Sequence, residues 1–428
     1  MKHLLLIPCL LLFAAAPLLS CSDDDEKENE LPQNQEQNAY EKEETVVDMI
    51  PKKNPIKLTD AQKSYVNAVN DFSFKLFKET YDKKKSQVLS PLSVSFVLGM
   101  LNDGAEGETA QQIMDAMGFN DADKTAVNEF CANLIENAPK VDPNVKLNIA
   151  NAIFVNAAEN VQLKSGFAQD MQNYYKAAAQ SLDFSSPSAV GTINKWCADQ
   201  TENTITKILD KTKPDELLYL LNAIYFKATW TDRFNPKHTK EETFTKENGT
   251  QIIKPMMFRN AMILWTHLNN FSCVCLPYSS GAFQMFLMLP DRDVTVSQML
   301  SNLDAETFKM IKADMYPYSI TVKIPRFTTS ADINLIDHLK NMGITKAFST
   351  EAEFPNITDK NLFVNLFKQA AKIEVNEEGT KVAAVTVAGG YDLANEPPSD
   401  FIADRPFAYL IQESTSGTIL FMGSYIGD

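Results

Sequence analysis

A nine-residue run near the C-terminus, Thr380 to Ala388, sets the tightest limit on what this chain can fold into. It holds no Gly and no Pro, and apart from Lys381 every member is small or β-branched. Such a run favours a strand. With a period of two, one face carries Thr380, Val382, Ala384, Thr386 and Ala388, and the other Lys381, Ala383, Val385 and Val387. The first face has no charge and nothing larger than Val. Only that face fits a packed interior without leaving a buried unpaired charge, which would cost several kcal/mol. Upstream, Lys372 to Asn376 alternates as a strand, and Glu377-Glu378-Gly379 follows as a turn-like hinge. Downstream, Gly389 to Asp400 contains Gly389-Gly390 and Pro397-Pro398 and cannot pair as a central strand. The segment reads as a strand that can be buried in the middle of a sheet, joined to a solvated loop.

The rest of the chain supplies that sheet. Asn67 to Lys78 places Val69, Phe72, Leu76 and Phe77 at helical spacing. Ser90 caps a second helix and Pro91 opens it. A third, Glu108 to Met117, stops at Gly118. Leu147–Val155, Leu218–Lys227, Thr321–Phe327, Ala370–Asn376 and Thr418–Ile426 read as strands. Phe271–Leu289 reads as a hairpin around Ser279-Ser280-Gly281. Helices and strands intermix without a βαβ period or a fixed repeat, which favours one large α+β domain over residues 58–428.

The N-terminus has a different character. Lys2 and the apolar stretch Leu4 to Leu19 read as a secretory signal, residues 1–20, too short to be a confident membrane span. Leu18-Leu19-Ser20-Cys21 resembles a bacterial lipoprotein cleavage site, which implies lipid on Cys21. The other reading is ordinary signal cleavage. The chain carries a net charge of −15, and residues 22–48 hold eleven acids against two lysines. The acidity is largely a property of a flexible tether, residues 21–57. Ser22-Asp23-Asp24-Asp25-Glu26 resembles the export tag of surface lipoproteins in some Gram-negative bacteria, or is a plain solvated spacer. The expectation is secretion across the inner membrane and a lipid anchor in the cell envelope, at the outer-membrane surface. The charge argues against nucleic acid as the main partner.

No catalytic constellation emerges. The chain has no Gly-x-Ser-x-Gly elbow, no His-Glu-x-x-His and no phosphate loop. His238, His267 and His338 have no recognisable triad context. Cys273 and Cys275 share one face of a strand and read as small core residues rather than half of a metal site. Cys131 and Cys197 read as buried or unpaired, and Trp196, Trp230 and Trp265 as packing residues. Neither a cofactor nor a metal is expected.

The sequence from Ile373 onward, I-E-V-N-E-E-G-T-K-V-A-A-V-T, closely resembles the hinge of inhibitory serpins. Phe401-Ile402-Ala403-Asp404-Arg405-Pro406-Phe407 resembles their second signature, and Gly417 to Gly423 their closing strand. Ser90-Pro91-Leu92-Ser93, Gly107 to Phe119, Asn222 to Lys227 with Trp230, and Ile324-Pro325-Arg326-Phe327 fall in the same order. The resemblance implies three β-sheets, eight or nine helices and an exposed reactive loop, in one domain. It also implies a mechanism. A protease nucleophile attacks the loop and forms an acyl-enzyme, and the cut loop inserts into the central sheet. Glu377, Glu378, Gly379, Thr380, Lys381, Val382, Ala383, Ala384, Val385 and Thr386 form the hinge. Ser90, Ser93, Asn222, Trp230 and Gln369 form the region where the sheet opens. Counting on from Glu377 in the family's register puts the reactive bond at Leu393–Ala394, with Tyr391 the alternative in a slightly long loop. Leu393 suits a chymotrypsin-, elastase- or subtilisin-like pocket.

Three departures from the family carry expectations. Val382 and Val385 replace alanines and should slow insertion. Gln369 replaces a histidine and is expected to lock onto Asn222 without pH sensitivity. No basic patch resembles a heparin site. The implied protein is a monomeric, non-enzymatic inhibitor that traps serine proteases covalently. The alternatives are a non-inhibitory binding module and a broad inhibitor that also traps cysteine proteases.

Overall fold

The computed structural model describes residues 53–268, 270–379 and 400–428. Its first helix, α1 (Asp60–Thr80), begins earlier than the apolar spacing suggested, because Thr59 and Gln62 form a reciprocal capping box. Strand β1 (Gln87–Leu89) leads to α2 (Pro91–Gly104), which Ser90 caps as expected. Every residue of α2 is buried, since α2 packs against sheet strands on two sides. Helix α3 (Gly107–Met117) ends at Gly118 in the left-handed region, the predicted stop. Then come α4 (Lys124–Asn137), β2 (Lys146–Asn156), α5 (Ser165–Tyr175), β3 (Ala178–Leu182), α6 (Pro187–Gln200) and β4 (Leu218–Lys227).

The second half is richer in strands. It runs β5 (Lys240–Thr245), β6 (Gln251–Leu268), β7 (Phe271–Tyr278), β8 (Phe283–Pro290), α7 (Val296–Ser301) and α8 (Ala305–Ala313). After these follow β9 (Tyr316–Pro325), β10 (Phe327–Asn334), α9 (Ile336–Asn341), β11 (Lys368–Val375), β12 (Phe401–Ile402), β13 (Phe407–Glu413) and β14 (Ile419–Tyr425). The expected hairpin is β7–β8, and the run expected as one strand from Thr321 to Phe327 breaks at Arg326.

Three hydrogen-bonded sheets result among the described residues. The large one runs β1-β14-β13-β8-β7-β6-β9-β12, with β5 added on β6. β13 and β14 are buried at every residue, so they read as continuous apolar runs rather than alternating ones. The other two are β3-β2-β4 and β10-β11. Helices α1 and α2 pack on β14, and α2 also lies behind β4. A separate apolar cluster, including Phe154, Ile193, Ile208, Leu209, Tyr219 and Leu221, lies between α6 with its following loop and the β2–β4 pair. No described helix is long and apolar enough to cross a membrane.

Candidate functional site

The two smaller sheets end on facing edges. Among the described residues β4 is bonded to β2 on one side only, and β11 to β10 on one side only. The free edges of β4 and β11 approach each other, yet no ladder joins them among the described residues. Two cavities occupy the interval. The upper is lined by Tyr225, Lys227, Lys372, Glu374 and Asn376. The lower is lined by Leu218, Leu220, Phe367 and Lys368, with Val97 and Leu101 of α2 among its walls. Unpaired edges of this kind are templates for another strand.

One residue already sits between them. Gly379 makes an antiparallel bridge to Thr229, just past β4, and another to Asn376, just past β11. Its φ is +86°, and a Cβ there would lie 2.3 Å from the Trp230 backbone nitrogen. Position 379 therefore admits only glycine without displacing the backbone. Trp230 holds the turn from beside it: its indole N–H donates to the Asn376 carbonyl at 2.9 Å, and its backbone N–H to the Glu378 carbonyl at 3.1 Å. The indole is fixed in turn by stacking on Tyr278, with ring centroids 4.3 Å apart.

Glu377 anchors the same turn from below. Its carboxylate accepts from Arg326 Nε at 2.7 and 2.8 Å and from the Thr239 hydroxyl at 2.5 Å. Pro325 ends β9 here, and the break turns Arg326 toward the hinge. Burial opposes the charged form of Glu377, but the Arg326 and Thr239 hydrogen bonds outweigh it and hold the carboxyl below its ordinary value. A depressed carboxyl contributes stability above the ordinary glutamate range and loses it as pH falls through the folded value. Glu377 is 5 % exposed, whereas the Arg326 side chain is 45 % exposed. Glu377→Gln therefore leaves a solvated cation rather than a buried one, and the expected loss is about 2 kcal/mol at pH 7. Urea midpoints at pH 7 and pH 3.5 check this. The variant should lie below the wild type at pH 7, and the gap should narrow at the lower pH; an unchanged midpoint at pH 7 would refute the anchor.

Midway down the interval the expected lock takes another form. Gln369 does not reach Asn222. Its Oε1 accepts from the Ser90 N–H at 3.1 Å and its Nε2 donates to the Ser90 carbonyl at 2.7 Å. A carboxamide carries both donor and acceptor, so it satisfies both backbone groups at the start of α2. The Ser90 hydroxyl donates to Leu420 O at 2.8 Å and accepts from Ser93 N at 3.3 Å. The Ser93 hydroxyl is buried without a partner. Asn222 turns the other way and donates to Asn151 Oδ1 at 2.8 Å, and Asn151 donates to the Tyr175 carbonyl at 2.7 Å.

The structure thus brings together Glu377, Glu378, Gly379 and Trp230 at one end of the interval and Ser90, Ser93 and Gln369 in its middle, with Asn222 on the opposite edge. Thr380 to Thr386, Tyr391, Leu393, Ala394 and Cys21 lie outside the described residues, as do the signal and most of the tether. Sequence reasoning missed Thr239 and Asn151 altogether. Arg326 was noted within its motif but given no role, although an arginine following a strand-ending proline is a usable signal. Cys131, Cys197, Cys273 and Cys275 are buried and free, and burial pushes the Cys275 thiol up to about 12. Among the described residues no cluster could hold a metal ion.

Two strand edges that face each other without a ladder between them among the described residues, with a glycine turn seated at one end, are the feature this fold presents. The comparisons name its class: residues 67–427 match the family described as Serpin (serine protease inhibitor), and the chain belongs to it. It is an inhibitor fold, not an enzyme. The chain is 33 % identical over 348 residues to glia-derived nexin of Rattus norvegicus, covering 78 % of this chain and 86 % of that one. It is 30 % identical over 345 residues to neuroserpin of Gallus gallus, covering 78 % and 84 %. The solved structure of the thermophilic serpin tengpin in its native state superposes with a TM-score of 0.78 at 27 % identity, covering 90 % of this chain and 99 % of that one.

Proposed function

We propose that this serpin is a suicide-substrate inhibitor of chymotrypsin-, elastase- or subtilisin-like serine proteases, cut at Leu393–Ala394 and closed by insertion of residues 380–388 between β4 and β11. The observation that carries the reading is Gly379, bridged beside both edges, while no described strand pairs the edges below it. Residues following Gly379 need only continue the pairing it has begun. The protease serine attacks the Leu393 carbonyl, an acyl-enzyme forms, and the amine end at Ala394 leaves. Insertion then competes with attack of water on the ester. If the strand is seated first, the enzyme stays bound; if water wins, the protein is consumed as a substrate.

The acidic N-terminal segment fits a display role. In this reading Cys21 carries lipid, residues 22–57 act as a spacer, and a monomeric inhibitor faces proteases outside the cell. Each buried CH₂ of such an anchor contributes roughly 0.8 kcal/mol.

The test uses protein lacking its first twenty residues, mixed with chymotrypsin, elastase or subtilisin. An SDS-stable complex and a released peptide beginning at Ala394 are expected. A peptide beginning at Asp392 would move the reactive residue to Tyr391. Cleavage by all three enzymes with no complex would leave the binding-module reading standing instead.

A further inference from the structure

Asp103 is a carboxylate that the fold buries without a counter-ion. It sits in the last turn of α2 at 8 % exposure. The negative end of the helix dipole lies there, so an acid is the wrong charge for the position. Its Oδ1 accepts from Asn128 Nδ2 at 2.6 Å, and Asn128 Oδ1 accepts from the Tyr175 hydroxyl at 2.8 Å. Residue 99 is glycine where that hydroxyl passes; a Cβ there would lie 2.6 Å from it. The three side chains form a fixed, buried relay that ends at the carboxylate. Burial pushes the Asp103 carboxyl above its ordinary value and nearby Asp170 adds to this, against the Asn128 bond and the Lys124 charge. A buried carboxylate with no paired cation destabilises a fold and calls for an explanation.

The carboxylate lines a cleft of about 520 Å³ between α2, α4 and α5. Both lysines of the cleft are engaged. Lys124 Nζ donates to the Asp103 and Ala105 carbonyls and so closes the end of α2. Lys164 pairs with Asp359 at 2.9 Å. Asp103 and Asp170, which also lines the cleft, form no ion pair among the described residues. The unpaired charge of the cleft is therefore negative. Phe167 and Tyr174 of α5 line it as well. Aromatic rings beside a carboxylate favour an organic cation. Among the described residues no third metal-ligating side chain joins the two carboxylates to hold a metal ion.

We propose that this cleft binds an organic cation with N–H donors, an alkylammonium or guanidinium group, with Asp103 as its buried counter-ion and Asp170 as the second carboxylate. The inference stands apart from the insertion reading above. It holds or falls whatever the reactive loop does, because every residue it uses belongs to α2, α4 or α5.

The probes are agmatine and putrescine, titrated calorimetrically into the full-length protein. Both should bind saturably, and choline, a cation without an N–H, should bind about tenfold more weakly. Asp103→Asn keeps the shape and an acceptor for Asn128. It should weaken agmatine binding by about tenfold or more. The melting temperature of the free variant should hold or rise, because an unpaired buried charge is gone; a merely structural carboxylate would lower it. Asp170→Asn lies on the cleft wall, should weaken both amines about threefold, and decides the matter if the first variant does not fold. Nα-acetyl-arginine amide separates the two sources of such a cation. Tighter binding than agmatine assigns it to a side chain of a partner protein, and weaker binding to a free amine. Unchanged agmatine affinity in both variants would overturn the proposal, since attraction to an acidic surface alone gives that result. So would the absence of saturable binding by either amine, choline binding as tightly as agmatine, or calcium binding more tightly than both amines.

Discussion

Cutting the reactive loop should make this protein more stable, by a melting-temperature rise on the order of 20 °C. Cleaving a loop ordinarily leaves stability unchanged or lowers it, because a nicked chain gains freedom when it unfolds. In the proposed mechanism the cut releases residues 380–388 to fill the interval between β4 and β11. Each edge offers a row of backbone groups that no strand pairs among the described residues. Nine residues can add about ten ladder bonds, at roughly 0.5–1.5 kcal/mol net each, for a gain on the order of ten kcal/mol. That is comparable to the whole stability of an ordinary domain. A domain of this size shifts by about 2 °C per kcal/mol. Differential scanning calorimetry before and after cleavage by a protease that the protein fails to trap measures it directly. A cleaved form melting at or below the intact one would mean that the strand does not insert, whatever the loop's sequence resembles.

The same interval shows which parts of the site the sequence made legible. The hinge was readable because its constraints are local: Gly379 ends a polar turn and an unbroken β-prone run begins beside it. The edge strands were readable because Leu218–Lys227 is rich in apolar and aromatic residues, and because Ile373 and Val375 alternate with polar neighbours in the stretch read as Ala370–Asn376, which the structure extends back to Lys368. What failed was the assignment of long side chains to partners. Gln369 and Asn222 both belong to the interval, and their lock looked secure by analogy with a histidine. A neutral histidine carries its donor and its acceptor on separate ring nitrogens that point apart, whereas glutamine offers both at one tip. That tip fits the N–H and carbonyl of Ser90, which lies 279 positions away in the chain. Thr239 reaches Glu377 across 138 positions, and Asn151 reaches Asn222 across 71. Periodicity and turn chemistry say nothing about such pairs, because both act within a few residues.

The opening of the fold also bears on Val382 and Val385, the two positions where the hinge is bulkier than in the family. If the proposed insertion continues the antiparallel bridges at Gly379, position 382 would come opposite Ile373 and Phe226, both buried. Position 385 would fall opposite Ala370 and Ala223, on the face that carries the smaller cluster under α6. Insertion there must pass beneath α6 and its loop, where Asn194 clasps the backbone of Ile208 and Leu209. Val385 is thus the bulkier residue set against the tighter cover.

Thr380→Arg should turn the inhibitor into a substrate. Trapping falls below detection, while the rate of loop cleavage stays within about twofold of wild type. The position follows Gly379 at once, so it is the first side chain that insertion must bury. Antiparallel pairing sets it opposite Val375 and Ala228, which are 3 % and 1 % exposed. Both neighbours are apolar, and Glu377, the buried acid of the adjoining turn, is already bonded to Arg326 and Thr239. An arginine there would enter a packed interior with no counter-ion, a penalty of roughly 3–5 kcal/mol at the first step. Insertion competes with hydrolysis of the acyl-enzyme, and a barrier raised by that amount slows it by a factor of roughly a hundred to several thousand. Water then wins. Cleavage itself should be spared, because the proposed reactive bond, Leu393–Ala394, lies thirteen residues further on in the sequence. Thr380→Ser separates charge from shape and should trap normally. Densitometry of SDS gels over a titration of protease, with mass spectrometry of the released peptide, reads both quantities in one experiment. Undiminished trapping by the arginine variant would show that position 380 is not buried during inhibition, and the assignment of Thr380, Val382, Ala384, Thr386 and Ala388 to the inner face would fall with it.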